Sequence, residues 1–384
     1  MKYRKLGNTG MDVSVIGLGP EHLFDKPYSQ VEEVIHGALD RGVNIMDFVM
    51  PHEQVRKYIG KALKCKRDKM IIQGHIGSVL KDGQFDICRD LPKCKEYFED
   101  LMRQLDTDYI DIGMLFYIDS EDDFRNIFEG GIADYAQELK QKGVIRKIGF
   151  NSHNPLMAKK AVGTGIVDMM MFSINPAYDM LPAGYDINPI FIEGKMDYTK
   201  DLIGIDPVRM ELYRLCEREG VGITVMKAYG GGKLLSGDFT PFSRPLTPGQ
   251  CIHFALTRPG VSSVLVGIIH DWQLEEAVKY FDLTEEELDY SDAVAQYNSG
   301  ISGECVYCNH CQPCPIGIDV ATVTKFLDIA KQDESNIPPT LCQHYGALEH
   351  KGGECAQCGN CETRCPFSVK IVENMEKAKL VFGE

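Results

Sequence analysis

Eight of the fourteen cysteines fall in two short runs near the C-terminus. The first reads Cys305-Val-Tyr-Cys308-Asn-His-Cys311-Gln-Pro-Cys314-Pro315, the second Cys355-Ala-Gln-Cys358-Gly-Asn-Cys361-Glu-Thr-Arg-Cys365-Pro366. Thiolates at i, i+3 and i+6 can wrap one iron–sulfur cube, while a fourth cysteine, set before a proline, reaches a second cube. The second run follows this C-x2-C-x2-C-x3-C-P spacing residue for residue; the first is one residue short before Cys314. The pattern assigns Cys305, Cys308, Cys311 and Cys365 to one [4Fe–4S] cluster. It assigns Cys355, Cys358, Cys361 and Cys314 to the other.

Two competing chemistries use the same residue type. Zinc also takes Cys-x2-Cys pairs, but it closes its shell with four ligands and has no use for a third cysteine at the same interval. A disulfide framework would need an oxidising compartment. The opening Met1–Lys5 carries no signal-peptide pattern, and the six other cysteines are scattered singly. The expectation is a reducing cytoplasm, and clusters of this kind suggest an anaerobe or a low-oxygen niche.

The bulk composition excludes other classes. The chain has 384 residues, a net charge of −15, and 41 Lys and Arg dispersed along its length. That balance argues against nucleic acid and against an anionic membrane surface as partners. Hydrophobic residues make up 44%, with no apolar run of membrane-spanning length.

The elements that must carry these residues alternate. Strand-like runs at Val13–Leu18, Asn44–Phe48, Met70–His75, Ile110–Phe116, Lys147–Asn151, Met169–Ile174, Gly222–Met226 and Ser263–Val266 are each followed by a helical period. Ser29-Gln-Val-Glu32 reads as a capping box opening the first helix. The others are expected near Glu53–Cys65, Leu91–Gln104, Asp123–Lys142, Pro155–Val162, Pro207–Glu219, Thr247–Thr257 and Trp272–Tyr280. Eight such units predict an α/β fold, a (β/α)8 TIM barrel over residues 1–285. A small, α-helical ferredoxin-like iron–sulfur domain over 286–384 follows it. An open doubly wound sheet is the rival, weakened because Gly17-Leu-Gly19-Pro-Glu-His22 lacks the dinucleotide-binding glycine pattern. The connection from Asn175 to about Asp206, with Tyr178, Tyr185 and Tyr198, is long enough for a lid or docking surface. It could equally pack beneath the cluster domain.

The order and wording of these segments resemble the aldo-keto reductase family, particularly its bacterial branch with a C-terminal ferredoxin-like extension. The resemblance rests on Tyr3-Arg-Lys-Leu-Gly-Asn-Thr-Gly10, Val13–Gly19, Gly42–Asp47, Asp108–Asp111, Gly143–Gly149 and Val225-Met-Lys227. It implies a catalytic set at the ends of strands two to four: an Asp, a Tyr that donates a proton to the carbonyl, and a Lys and a His that tune it. At the matching positions stand Asp47, His52, His75 and Phe116, so three of the four depart. For a nicotinamide, the resemblance points to Asn151, Ser152, Asn175 and Gly267. Met171 stands where the family has a glutamine. Gly267-Ile-Ile-His270 replaces the Ser-Arg fork that would grip a 2′-phosphate.

Four histidines, His22, His52, His75 and His153, are expected at the catalytic face. An imidazole beside ionised Asp47 could serve as general acid, and His52 and His75 are the candidates. The same groups could instead hold a metal ion, or merely cap strands and loops. Lys227 opens Lys-Ala-Tyr-Gly-Gly-Gly232, which could cradle a phosphate or flavin or simply turn the chain. Met169–Met171 reads as core filling rather than a metal box.

The resulting expectation is an oxidoreductase in which two clusters relay electrons to or from a small, polar, carbonyl-like substrate. Asp47, His52 and His75 would handle protons, and a flavin or active-site metal could bridge the electron count. A ferredoxin or flavodoxin would be the electron partner. Two alternatives stand beside it: NAD(P)H-dependent carbonyl reduction with a non-standard catalytic set, and a non-catalytic electron-transfer or partner-binding protein.

Overall fold

The computed structural model describes residues 1–185, 202, 204, 206–295 and 303–383. Most of the expected lid, including Tyr198, therefore lies outside the described residues. The chain divides into two compact units. The first comprises Met1–Ile174, Gly220–Ala228 and Val261–Phe281; the second comprises Asn175–Glu219, Tyr229–Gly260 and Asp282–Glu384.

In the first unit, β1 (Tyr3–Lys5) and β2 (Asp12–Ser14) form an antiparallel hairpin. Eight parallel strands then close a barrel: β3 (Ile16–Gly19), β4 (Ile45–Phe48), β5 (Ile71–Ile76), β8 (Ile110–Leu115), β9 (Ile145–Ser152), β10 (Met169–Ser173), β11 (Gly222–Met226) and β12 (Val261–Gly267). Between β5 and β8 sits a second hairpin, β6 (Ser78–Lys81) with β7 (Gln84–Ile87), which sequence pattern did not reveal. The barrel expectation holds because these strands are covered on both sides and read as apolar runs rather than alternations. β8, Ile-Asp-Ile-Gly-Met-Leu, is buried along its whole length.

The interior is filled at its N-terminal end by Ile45, Ile112, Met114, Met169, Met171 and Leu265, with Leu6 and Val13 of the β1–β2 hairpin packed among them. Asn8 N donates to Gly220 O and Ser262 Oγ donates to Lys5 O, pinning the hairpin under β11 and β12. The methionines of β10 are thus core filling, as their flexible thioethers suit. Gly149 is needed at this layer: a Cβ there would lie 2.4 Å from Met169 Sδ and 2.5 Å from Met114 Sδ.

One carboxylate ties three strands at that end. Asp111 of β8, 2% exposed, accepts from Arg67 Nη2 at 2.9 Å, Arg146 Nη1 of β9 at 3.0 Å and the backbone N of Ile72 in β5 at 3.0 Å.

Two local expectations are corrected. The helix Tyr28–Asp40 starts after Pro27 with no side-chain cap bond, so Ser29 and Glu32 form no capping box. Pro27 already presets the extended N-cap backbone, and Glu32 instead accepts from Tyr28 Oη at 2.6 Å. The single helix expected over 123–142 is two, Glu121–Phe128 and Ile132–Gln141, parted where Gly131 takes φ +88°.

The second unit gathers helices Pro207–Glu219 and Pro248–Thr257 together with residues 282–384. Side-chain bonds account for the grouping. Arg214 Nη2 donates to Tyr307 Oη at 3.0 Å and Asp328 Oδ2 at 3.2 Å, and Arg218 Nη2 to Asp333 Oδ2 at 3.0 Å. Arg258, 1% exposed, donates to Tyr290 Oη at 2.9 Å and to Val306 O.

Candidate functional site

The barrel's C-terminal rim carries two polar constellations. Parallel pairing sets Asp47 of β4 beside Gln73 of β5, and the two-residue period of a strand brings His75 to the same face as Gln73. Asp47 Oδ1 accepts from Gln73 Nε2 at 2.9 Å and from His75 Nε2 at 2.8 Å. The His75 ring is 3% exposed and stands edge-on to Phe116, centroids 5.2 Å apart. Its Nδ1 is buried and finds no hydrogen-bond partner among the described residues.

His52 does not join this pair. It precedes helix Glu53–Ala62, stacks on Phe24 at 4.9 Å, and its Nε2 lies 2.9 Å from Gly83 O in the turn of the β6–β7 hairpin. The expected trio of Asp47, His52 and His75 is thus a bonded pair and a histidine engaged elsewhere. Among the described residues no three His, Cys, Asp or Glu side chains are set to grip a single metal ion.

The second constellation was only half visible in sequence. His153, directly after β9, points Nδ1 at Asp119 Oδ2 (2.7 Å), while its backbone N donates to Asp119 Oδ1 at 2.6 Å. On its far side Nε2 lies 2.8 Å from Nζ of Lys227, the residue after β11, whose backbone takes φ +59°. Burial would raise the Asp119 carboxyl, but its contacts with His153 and Ser152 hold it below the usual range. Burial pushes the Lys227 amine down to about 8, with Glu21 and Asp119 opposing. Asp119 went unnoticed because it follows the fourth strand by several residues. A carboxylate on a strand-end loop was the available signal.

The residues expected at a nicotinamide have other partners. Asn151 Oδ1 accepts from Tyr117 N at 3.0 Å, supporting that residue's left-handed backbone. Ser152, fully buried, donates from Oγ to Ile118 O at 2.7 Å and lies 3.0 Å from Asp119 Oδ1. Both therefore shape the two loops that bear Asp119 and His153. Gly267 ends β12 in the open, near His22. Asn175, in the second unit, accepts from Tyr178 N at 2.9 Å and so begins a 3-10 turn. Gly230, Gly231 and Gly232 all have positive φ and form a tight turn into Lys233–Leu235.

The cysteines of the two runs lie in the second unit. Cys305, Cys308, Cys311 and Cys365 line one cavity; Cys314, Cys355, Cys358 and Cys361 line another. Each set thus takes three thiols from one run and one from the other. The runs share a local form: residues flanking the second cysteine, Tyr307 and Asn309 in one, Gln357 and Gly359 in the other, all have positive φ. In both, the N–H two residues on donates to the first sulfur at 3.4 Å, Tyr307 to Cys305 and Gln357 to Cys355. Val320 and Ile371 line both cavities. Four thiols around an apolar space fit a cube bound at its corners, whereas they are not drawn together as a single ion's ligands are. Desolvation raises Cys305, Cys308 and Cys311 above the ordinary thiol value, with neighbouring thiols adding to it at Cys305 and Cys311 and Asp289 at Cys308. Such groups release their protons to a bound cation.

A broad depression lined by Cys65, Arg67, Arg103 and Tyr109 sits before β5 and β8, at the N-terminal ends of the strands. Barrel chemistry is found at the opposite rim.

A closed eight-stranded parallel barrel with carboxylate–imidazole groups on its C-terminal rim defines an α/β-barrel enzyme. The Aldo/keto reductase family profile matches residues 15–244, and the chain belongs to that family. It is an oxidoreductase of the aldo-keto reductase type. The chain is 26% identical over 301 residues to an uncharacterized oxidoreductase, YqkF, of Bacillus subtilis (strain 168), covering 75% of this chain and 94% of that protein. It is 29% identical over 210 residues to the aldo-keto reductase YhdN of the same organism, covering 52% of this chain and 59% of that one. Its fold is similar to that of the holo form of aldo-keto reductase AKR11C1 from Bacillus halodurans. There the TM-score is 0.56 and the identity 23%, with 75% of this chain and 94% of that chain covered. No helix among the described residues is long and apolar enough to cross a membrane.

Proposed function

We propose that this protein is an iron–sulfur oxidoreductase acting on a small polar carbonyl compound. The observation that carries the reading is the exchange of the fourth cysteine between two cavities, each lined by four thiols. Cys305, Cys308, Cys311 and Cys365 would hold one [4Fe–4S] cluster, and Cys355, Cys358, Cys361 and Cys314 the other. Such clusters supply one-electron transfer, at potentials set by charge, hydrogen bonds to sulfur and exposure. This chain contributes the N–H bonds to Cys305 and Cys355 and the buried Arg258 charge beside Val306.

At the barrel rim Asp47, His52, His75 and Phe116 stand in the order of the family's Asp, Tyr, Lys and His. The proton donor in this reading is His75, with its Nε2 held against Asp47 Oδ1. Phe116 shields the ring and replaces a polar neighbour by an apolar one. A ferredoxin or flavodoxin would be the electron partner. Family membership favours a second reading, NAD(P)H-dependent carbonyl reduction at the same rim with the clusters accessory.

The test is anaerobic purification followed by iron, sulfide, flavin and nicotinamide analysis of one sample, with electron paramagnetic resonance after dithionite. The proposal expects about eight iron and eight sulfide per chain, and a reduced-cluster signal. A colourless sample without acid-labile sulfide refutes it. Saturable NADPH or NADH fluorescence changes on the same sample would favour the second reading.

A further inference from the structure

We propose that Lys227, His153 and Asp119 form a carbonyl-capturing site in which the Lys227 amine bonds covalently to an aldehyde or ketone. The arrangement has the form of an activated nucleophile: a nucleophile within hydrogen-bond reach of a base, and the base oriented by a third group. Asp119 receives His153 Nδ1–H at 2.7 Å, which fixes the tautomer and leaves the Nε2 lone pair directed at Lys227 Nζ, 2.8 Å away. His153 cannot turn, because its own backbone N also donates to Asp119 and Ser152 braces the same carboxylate. Lys227 is of intermediate exposure and directly follows β11 at the C-terminal rim, where barrel chemistry is found. The charged groups acting on it, Glu21 and Asp119, favour the ammonium, and burial outweighs them.

The step balances without a redox partner. The Nζ lone pair forms a C–N bond as the carbonyl π pair moves to oxygen. The Nζ proton passes to His153 Nε2 and on to that oxygen. Loss of water from the carbinolamine then leaves an imine.

The test treats the anaerobically purified holoprotein with glyoxylate and sodium cyanoborohydride at pH 7, then maps adducts by peptide mass spectrometry. With an amine at about 8 rather than 10.5, the neutral fraction at pH 7 rises from roughly 0.03% to roughly 10%. A stable adduct on Lys227 should therefore form on the order of 100-fold faster than on exposed lysines such as Lys64. Lys227→Arg should abolish it. His153→Ala and Asp119→Asn should slow it at least about tenfold, with iron content and circular dichroism unchanged. Adducts confined to exposed lysines, or a Lys227 rate indifferent to His153→Ala in a folded variant, overturn the proposal. A sample that lacks clusters yet traps Lys227 sinks only the electron-transfer reading.

Discussion

Replacing Asp111 with alanine tests whether the barrel's rim is held in place from its opposite end. Three donors lose their acceptor: Arg67, Arg146 and the Ile72 amide. Arg67 is largely buried, and a charge-assisted bond of that kind contributes about 1.5–3 kcal/mol. Arg146 is 54% exposed and can return to water, so its share is below about 1 kcal/mol. The buried Ile72 amide, left without a partner, costs about 1–3 kcal/mol. These terms overlap, and the whole comes to about 3–5 kcal/mol. At about 2–4 °C per kcal/mol, the melting temperature of the variant should fall by on the order of 10 °C. The assay is thermal and urea unfolding by circular dichroism under anaerobic conditions. Asp111→Asn, which keeps one acceptor for Ile72, should fall between the two. A loss below about 1 kcal/mol for the alanine variant would refute the idea that this carboxylate fastens β5, β8 and β9.

Cys365→Ala should lower iron from about eight to about four per chain and abolish the cluster on Cys305, Cys308 and Cys311, leaving the other intact; loss of the second cluster alone would contradict the exchange of ligands. Asp47→Ala leaves the His75 and Gln73 donors unpaired, so unfolding free energy should drop about 1–3 kcal/mol and turnover should be lost, measured by urea denaturation and carbonyl reduction. Lys227 has a folded value of about 8, below its unfolded value of about 10.4, so it costs stability at neutral pH and that cost fades as pH climbs from about 8 to 10.4. Lys227→Met should therefore stabilise at pH 7 by about 1–2 kcal/mol, after discounting for its partial exposure, and by little at pH 10.5. Gly60→Ala places a Cβ 2.6 Å from the Leu105 carbonyl, where only backbone can yield, and should cost about 1–3 kcal/mol in the same melts.

The eight barrel strands were legible because doubly covered parallel strands leave unbroken apolar runs, and helices between them keep their period. The β6–β7 hairpin was not, since Ser78–Ile87 is short, mixed in polarity and partly exposed. The Ser29 box failed for a different reason: Pro27 sets the same entry by backbone geometry alone. At the cavities the cysteines that the spacing groups together line the same void, three from one run and one from the other. The rim was harder to read. Asp47 and His75 pair as a strand's two-residue period allows, but His52 is captured by a turn that the pattern did not reveal. Lys227 reaches His153 from β11 across the end of β10, a meeting set by strand order rather than by any local pattern.

The hairpin wedged among the interior side chains with Leu6 and Val13 gives the cylinder a floor. With that end closed and the interior packed, whatever the rim converts must leave from the same end at which its successor arrives. Departing and incoming molecules then contend for the same threshold, and accumulated product should act as a competitive inhibitor in initial-rate plots.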